Sequence, residues 1–387
     1  MSVATHGPMP PPDSLRRLAA HGAPTAEAID RFLATHTFPL VEGSRCTFVW
    51  RGDAEAVQLV HMIFGLPTRQ PFRRLEGSDL WWHVLELPPL SRVEYKIEVV
   101  RGGTRELLED PLNPHRTRDP FGQNSVVHGE GYVTPEWTMP DPEARLGTLE
   151  EIVFPSASLA RDTRVTLYLP ARFRRTRRYP LLFVHDGGDF LAYAGMKTVL
   201  DNLIHRLEIP EMLVAFSHPG ERLVEYANFE PHQRYVAEEI VPWLEERYPA
   251  VGEPAGRTLM GASFGAVAAF STAVRYPGRF SRLLLLSGSF AFTDIGPSPR
   301  PLLDPVVDFV NAFRRRPERV SERLFVSCGI YESLIYENRS LVPLLQSTGM
   351  DVRYVEARDG HNWENWRDRL REGLSWLMPG PLWMIYE

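Results

Sequence analysis

A serine stands at the centre of a Gly-x-Ser-x-Gly pattern at residues 261–265. Apolar residues that suit a buried strand precede this pattern, and an alanine-rich stretch typical of a helix follows it. A tight strand-to-helix turn lifts such a serine hydroxyl out of the fold, and small flanking residues relieve the crowding. The pattern therefore predicts a nucleophile elbow and acyl transfer through Ser263. The alternative is a glycine-lined turn that carries an ordinary serine.

Of the 12 histidines in the chain, His361 alone follows Ser263. A serine hydroxyl becomes a good nucleophile when a base removes its proton, so His361 is the predicted base, with a loop histidine bonded to backbone as the alternative. Glu332 follows a predicted strand and is the predicted acid that orients the imidazole. Asp359 is the alternative acid, although so close a neighbour of the base usually caps its own turn.

The negative charge that develops on the substrate oxygen needs two backbone N–H donors. One donor normally belongs to the residue after the nucleophile, which is Phe264. The other is expected in the loop of residues 185–190, His-Asp-Gly-Gly-Asp-Phe, which follows an apolar run. Gly188 is the predicted donor and Asp189 the alternative, while a plain Asp-Gly turn is the competing interpretation.

Four side chains near these positions are candidates for contact with the substrate. Trp363 and Trp366 closely follow the base and would give aromatic walls for catechol, feruloyl or other aryl groups, although core packing suits Trp366 equally well. Arg222 is a candidate partner for a carboxylate or phenolate, and a structural ion pair with Glu225 is the slightly favoured alternative. Asp189 completes the predicted substrate-binding set.

The elements that must position these residues change character along the chain. Residues 1–38 predict a helical extension, and residues 39–134 carry short alternating strands separated by turn residues, which predicts a β-sandwich. Residues 135–148 contain three prolines and predict a linker. From 149 to 387, apolar strands alternate with helices, which predicts an α/β-hydrolase domain built on a mostly parallel sheet.

Individual elements of this last domain are predicted from apolar runs and helical periodicity. The predicted strands are 165–169, 181–184, 212–216, 258–260, 283–286, 324–327 and 352–355. The predicted helices are 196–207, 233–247, 264–275, 305–315, 338–346 and 366–376.

Composition narrows the class of protein. The formal net charge of −6 gives no reason to expect binding to nucleic acid or acidic membranes. The two cysteines, Cys46 and Cys328, fall in different predicted domains, which argues against a disulfide framework. Residues 1–12 lack the apolar core of a signal peptide, so a cytoplasmic protein is expected. No metal or cofactor is expected, and exposed edge strands would permit a homo-oligomer.

Further motifs carry a family resemblance. A Gly-x-x-Glu strand end at 329–332 precedes Asn-x-x-Leu at 338–341, and a Gly-His segment at 360–361 is followed by Trp-Arg at 366–367. The first domain contains Asp-Pro-Leu-Asn at 110–113. Together these motifs resemble the enterochelin (ferric enterobactin) esterase family of esterase D-type α/β-hydrolases, over about residues 40 to 380.

The resemblance implies a nucleophile at Ser263, a base at His361, an acid at Glu332 and an immunoglobulin-like sandwich of the early-set type before them. It implies a serine esterase that acts on siderophore or other aryl-acyl esters through an acyl-enzyme. No dense cationic patch for a triply anionic ferric siderophore is evident, so hydrolysis of an ester follows but enterobactin specifically does not. The alternatives are a carbohydrate (feruloyl or acetyl) esterase or acyltransferase, and an inert glycan- or protein-binding module.

Overall fold

Residues 10–20, 22–292 and 301–381 are described by the structure, a computed structural model. Residues 1–9 and 21 of the predicted helical extension, and residues 293–300 and 382–387 of the predicted hydrolase domain, lie outside this description. The chain divides into two units. One comprises Met1–Val133 with Arg358–Gly360, and the other comprises Thr134–Ala357 with His361–Glu387.

Two helices precede the strands of the first unit. They are α1 (Asp13–Leu18) and α2 (Ala26–Thr35). The Thr25 hydroxyl accepts a hydrogen bond from the Ala28 N–H at 3.2 Å, which satisfies a free donor at the start of α2. The strands are β1 (Leu40–Glu42), β2 (Arg45–Arg51), β3 (Ala56–His61), β4 (Arg69–Pro71), β5 (Arg73–Arg74), β6 (Leu80–Glu86), β7 (Arg92–Arg101), β8 (Thr104–Leu108), β9 (Arg116–Asp119) and β10 (Gly122–His128).

These strands form two antiparallel sheets. One has the order β1-β2-β6-β5, and the other has the order β4-β3-β7-β10-β9, with β8 also paired to β7. Alternation along β3 places every second side chain in the interior, as expected for a strand with one buried face. The helices bury their apolar side chains against the four-stranded sheet, in a core formed by Leu15, Ile29, Phe32, Phe38, Val49, Leu80, Trp82 and Val84.

The second unit alternates strands and helices. Its strands are β11 (Thr148–Ser156), β12 (Arg161–Leu169), β13 (Leu181–Val184), β14 (Leu213–His218), β15 (Arg257–Ala262), β16 (Arg282–Leu286), β17 (Arg323–Gly329) and β18 (Asp351–Ala357). Its helices are α3 (Gly187–Ala192), α4 (Met196–His205), α5 (Arg222–Glu225), α6 (Glu230–Arg234), α7 (Val241–Arg247), α8 (Phe264–Arg275), α9 (Asp304–Arg315), α10 (Ile335–Ser347) and α11 (Trp363–Leu377). A π-helical turn, Tyr235–Ile240, joins α6 to α7.

All eight of these strands join one mixed sheet in the order β11-β12-β14-β13-β15-β16-β17-β18. Strand β12 runs opposite to both of its neighbours, and the remaining pairs from β14 to β18 are parallel. Strands β13, β15 and β16 are buried along nearly their whole length, as expected for mostly apolar strands in a sheet covered on both faces. The carboxyl ends of β13, β15, β16, β17 and β18 meet at one edge of the sheet, where ligands bind in such folds.

All seven strands predicted from sequence are present, as β12 to β18. Strand β11 was missed because it is an edge strand paired only with β12 and most of its side chains are exposed. The predicted helix 233–247 is divided by the π-helical turn, since Pro242 lacks an N–H group and cannot continue a regular α-helix. Helices α3 and α5 were also missed, and each is at most six residues long.

The segment 135–148, predicted as a linker, is partly packed in the second unit. Residues Glu136–Thr138 form a short 3₁₀ helix, and Trp137 is buried in the core beside α4. The Asn202 side-chain amide donates to the carbonyls of Trp137 and Met139 at 2.8 and 2.7 Å. Throughout the ranges that the structure describes, every helix is too short or too polar to cross a bilayer.

Candidate active site

Ser263 occupies the turn between β15 and α8. Its backbone has φ +56° and ψ −122°, a conformation that L residues rarely adopt. A Cβ atom at Gly261 would lie 2.1 Å from the Gly265 carbonyl oxygen, so only glycine permits this close approach. The turn has the strain and the flanking glycines of a nucleophile elbow, which presents the serine hydroxyl at the carboxyl edge of the sheet.

The hydrogen bonds of Ser263 connect it to the end of β16. Its N–H donates to the Leu286 carbonyl at 2.9 Å, and its Oγ shares a hydrogen bond with Ser289 Oγ at 3.1 Å. Within residues 10–20, 22–292 and 301–381, the hydroxyl makes no hydrogen bond to His361. Hydrogen bonds between nucleophile and base often form only when substrate is bound.

His361 and Glu332 form a close pair. The imidazole Nδ1 lies 2.5 Å from Glu332 Oε2, and the other carboxylate oxygen accepts hydrogen bonds from Ser287 Oγ and the Gly329 N–H, each at 2.6 Å. The Glu332 side chain is 2% exposed and that of His361 is 37% exposed. Because Nδ1 faces the carboxylate, Nε2 is the nitrogen left to exchange a proton with a substrate or nucleophile.

Asp359, the alternative acid, makes different contacts. It belongs to the first unit, where its carboxylate accepts hydrogen bonds from the Arg92 guanidinium at 3.2 and 3.3 Å. It also accepts from the Gly360 N–H at 2.7 Å, which caps the turn. The carboxylate that contacts the imidazole is therefore that of Glu332.

Of the two roles expected for Trp366, pocket wall and core packing, its buried position agrees with core packing. Trp366 is 5% exposed, and its indole N–H donates to Ser287 Oγ at 2.9 Å. That hydroxyl in turn donates to Glu332. The indole of Trp366 therefore orients the Ser287 hydroxyl, which contacts the Glu332 carboxylate. Sequence analysis missed Ser287, which has φ +45° and directly follows β16. Its position after an apolar strand at this edge was the available signal.

The loop after β13 presents the second predicted oxyanion donor. The N–H groups of Asp189 and Phe190 both donate to the Asp186 carbonyl at 3.0 Å, so Asp189 N–H is already engaged. In the described part of the chain, the N–H groups of Gly188 and Phe264 have no acceptor. These two groups are therefore free to receive a negatively charged oxygen.

Arg222 and Asp189 lie beside this loop. The Arg222 guanidinium donates from Nε and Nη2 to the two carboxylate oxygens of Asp186, each at 2.7 Å. The expected ion pair of Arg222 with Glu225 does not form, because Glu225 accepts from Arg161 instead. Burial and the negative charge of Asp186 raise the pKa of the half-buried Asp189 carboxyl.

Trp363, the first residue of α11, is part of a group of aromatic rings. Its ring centroid lies 5.2 Å from that of Phe190, 5.9 Å from that of Tyr193 and 4.7 Å from that of Trp366. We call Phe190, Tyr193, Trp363 and Trp366 the aromatic cluster. Trp363 and Tyr193 are half-buried, so these two rings retain accessible surface. Sequence analysis missed Tyr193, although it follows Phe190 at helical spacing.

Comparisons with known proteins identify the family. A family model described as a putative esterase matches residues 156–377. The chain belongs to this esterase family. The chain is 25% identical over 339 residues to the iron(III) enterobactin esterase of Escherichia coli K12. The aligned region covers 79% of this chain and 81% of the relative. The predicted resemblance to enterochelin esterases is confirmed, and the protein is an ester hydrolase.

Solved structures agree on the fold. Ferric enterobactin esterase from Salmonella typhimurium superposes with a TM-score of 0.75 at 19% identity, over 90% of this chain and 98% of that one. A ferulic acid esterase superposes with a TM-score of 0.54 at 20% identity, over 61% of this chain and 99% of that one. The predicted α/β-hydrolase fold is thereby confirmed.

Proposed function

We propose that the protein is a serine esterase that cleaves carboxylic esters through an acyl-enzyme on Ser263. The observation that carries this proposal is the 2.5 Å contact between the buried Glu332 and His361, at the sheet edge that also bears the strained serine. Such a carboxylate fixes the imidazole tautomer and stabilises the imidazolium that forms during reaction. The same edge presents the free N–H groups of Phe264 and Gly188.

In the proposed reaction, the Ser263 hydroxyl leaves Ser289, turns to His361 Nε2 and attacks the ester carbonyl while the imidazole takes its proton. The N–H groups of Phe264 and Gly188 hold the oxygen of the tetrahedral intermediate. Collapse of this intermediate breaks the ester bond, and His361 returns the proton to the leaving alcohol. Water then repeats the sequence and releases the carboxylic acid and free Ser263.

The proposed substrates are aryl-acyl esters, including catecholate siderophore esters. Support comes from the aromatic cluster, which runs from the Trp366 ring beside His361 to α3, the helix that contains Gly188. Its half-buried rings, Trp363 and Tyr193, have surface available to a ligand. Aromatic rings pack well against planar aryl groups. A feruloyl esterase of carbohydrate esters is the second candidate, because a ferulic acid esterase shares its whole fold with 61% of this chain.

Hydrolysis of p-nitrophenyl butyrate by the wild type and Ser263→Ala tests the nucleophile. The variant is expected to lose about 10⁶-fold in kcat, the scale of nucleophile removal in serine hydrolases. Ser271→Ala, which changes a buried serine within α8, is the matched control and retains activity. Full activity in Ser263→Ala excludes the proposal, and a folded wild type that never reacts with a fluorophosphonate probe favours an inert binding module. Product analysis with a catecholate trilactone and feruloyl glycans separates the two substrate classes.

We also propose that the strands of the first unit form an immunoglobulin-like sandwich of the early-set type. Its Asp-Pro-Leu-Asn segment supports this, since Asp110 and Asn113 are both buried and both bond the hydroxyl of Tyr95, at 2.7 and 2.9 Å. A cytoplasmic location is proposed as well. Cys46 and Cys328 are buried and unpaired, which suits a reducing compartment.

A further inference from the structure

Asp186 has a backbone conformation that needs support. It is the residue between β13 and α3, and its φ of +56° and ψ of +38° lie in the left-handed region. Aspartate tolerates this region better than most residues, but the conformation remains costly without external contacts. The peptide units that follow Asp186 carry the N–H groups of Gly187 and Gly188. The orientation of these donors therefore depends on what holds Asp186.

Every polar group of Asp186 is engaged. Its N–H donates to the Tyr226 hydroxyl at 3.0 Å, and its carbonyl accepts from the first turn of α3. Its two carboxylate oxygens each accept from the guanidinium of Arg222 at 2.7 Å. A planar guanidinium that binds both oxygens fixes the orientation of the carboxylate as well as its charge. We call Arg222, Asp186 and Tyr226 the Asp186 clamp.

Burial makes the members of the clamp depend on one another. The Asp186 side chain is 1% exposed and that of Arg222 is 33% exposed, while Tyr226 is fully buried. Burial raises the pKa of the Asp186 carboxyl, and the hydrogen bonds from Arg222 oppose this shift. The Arg222 guanidinium also lies over the Tyr226 ring, 5.6 Å from its centroid. Loss of the guanidinium would leave a buried carboxylate without its counter-charge.

The clamp also contacts the elbow. A Cβ atom at Gly265 would lie 3.2 Å from Asp186 Oδ2, so the carboxylate packs against the first turn of α8, two residues after Ser263. On the other side, a Cβ atom at Gly187 would lie 2.4 Å from the backbone of Phe216 in β14. The loop is thus confined between α8 and β14.

We propose that Arg222, Asp186 and Tyr226 are positioning residues that aim the Gly188 N–H group at the oxyanion during ester hydrolysis. This inference rests on the proposed function, because Gly188 acts as a donor only if Ser263 is the nucleophile. Arg222 acts through the loop in this scheme and does not bind the substrate. Its effect is therefore on the rate of the chemical step and not on substrate affinity.

Kinetics of Arg222→Ala with two esters test this role. One is p-nitrophenyl acetate, which is neutral, and the other is p-nitrophenyl hemisuccinate, which carries a carboxylate. The clamp predicts that kcat falls by about 100-fold for both esters, the effect of losing one oxyanion donor, with little change in KM. A rise in KM confined to the hemisuccinate would instead show that Arg222 binds substrate carboxylates, and would overturn the proposal.

Arg161→Ala is the matched control. Arg161 binds both oxygens of Glu225 at 2.6 and 2.8 Å, and these side chains are 32% and 8% exposed, closely matching the exposure of Arg222 and Asp186. This pair holds the other end of the same short helix α5 without touching Asp186. We expect both variants to melt at a similarly lowered temperature, with kcat reduced only in Arg222→Ala. Equal kcat losses in the two variants would reduce the clamp to a general stability effect and overturn the proposal.

Chemical rescue gives a readout that a purely structural role would not move. Millimolar guanidinium, added to Arg222→Ala, is expected to restore part of kcat by occupying the vacated space beside Asp186. Arg222→Lys keeps the charge but loses the paired donors, so its kcat should lie between those of the wild type and Arg222→Ala. Absence of rescue together with a lysine variant no better than alanine would contradict the clamp.

Fluorophosphonate labelling separates failure of this inference from failure of the proposed function. If the wild type labels at Ser263 and the kcat of Arg222→Ala equals that of the wild type, the clamp is wrong and the esterase mechanism stands. If Ser263→Ala keeps full activity, the mechanism itself fails and the clamp fails with it.

Tyr226→Phe gives a second test of the clamp, since it removes the acceptor of the Asp186 N–H without removing a charge. We expect a smaller loss of kcat, about 10-fold, below the effect of losing an oxyanion donor outright.

Discussion

The two sides of the site are held by different chemistry. On the side of the proposed base, called the base side, the proposed acid Glu332 accepts hydrogen bonds from the Ser287 hydroxyl, a backbone amide and the imidazole. The Ser287 hydroxyl in turn accepts a hydrogen bond from the indole of Trp366. On the oxyanion side, a paired guanidinium and carboxylate, Arg222 and Asp186, hold the loop. The base side therefore keeps the negative charge of Glu332 available to the imidazole, whereas on the oxyanion side the charge of Asp186 is neutralised by Arg222.

This difference follows from what each side must do in the proposed mechanism. The imidazole becomes positively charged during catalysis, so a buried carboxylate supported by neutral donors stabilises it in proportion to that charge. The oxyanion requires N–H dipoles in a fixed direction, and a nearby uncompensated carboxylate would repel it. Pairing Asp186 with Arg222 removes this repulsion while fixing the loop. Charge removal should therefore be most damaging on the base side.

Among changes to the groups that support the site, Glu332→Gln gives the largest expected effect. The amide is nearly the same size as the carboxylate but carries no charge, so the imidazolium loses its stabilisation and its tautomer is no longer fixed. We expect kcat for p-nitrophenyl butyrate to fall by about 10⁴-fold, as when the acid of a serine triad is made neutral. Glu337→Gln, a change at a half-buried carboxylate on α10, is the control and should retain activity. Near-normal activity of Glu332→Gln would assign the acid elsewhere.

Ser287→Ala sharpens the comparison, because it removes a neutral support and leaves the charge. Glu332 keeps the Gly329 N–H and His361, but the Trp366 N–H is left buried without its acceptor. We expect kcat to fall by roughly 10-fold and the free energy of unfolding to fall by about 1–3 kcal/mol, the cost of an unsatisfied buried donor.

Ser321→Ala is the control for this change. The buried Ser321 hydroxyl donates a hydrogen bond to the Phe280 carbonyl. It lies just before β17 begins, whereas Glu332 lies just after β17 ends. Both variants are measured by denaturant unfolding and steady-state kinetics. If the two lose stability equally and kcat is unchanged in both, Ser287 supports the core but not the acid.

Sequence reasoning reached the parts of the site that local patterns encode. The elbow of Ser263 and the parallel strands are continuous in the chain, so apolar runs and glycine spacing suffice to predict them. The supports of the site are long-range pairs. Ser287 and Glu332 are 45 residues apart, and Asp186 and Arg222 are 36 residues apart, so their contacts depend on strand order and not on local spacing.

The same limit explains which side-chain roles differed from expectation. Arg222 has an acidic residue three positions later on the same helical turn, and i,i+3 spacing favours that pair locally. Its actual partner, Asp186, comes from a different strand end. Trp366 likewise follows the base in sequence, but the direction of α11 turns it into the core, and Trp363 keeps the accessible surface.

On the oxyanion side, His185→Asn is expected to have the smallest effect on catalysis at neutral pH. Its main expected effect is on the free energy of unfolding at acid pH. His185 directly precedes Asp186 and donates from Nδ1 to the Met260 carbonyl at 3.0 Å, and burial lowers its pKa from 6.5 to about 4. Between these values the unfolded chain binds a proton that the folded protein excludes, so the free energy of unfolding falls as pH decreases, by up to about 3 kcal/mol at this site. An asparagine amide can keep the hydrogen bond without titrating. Urea unfolding measured from pH 7 to pH 4 should therefore show a smaller loss of unfolding free energy in His185→Asn than in the wild type. Equal losses in the two proteins would show that His185 does not cause the acid destabilisation.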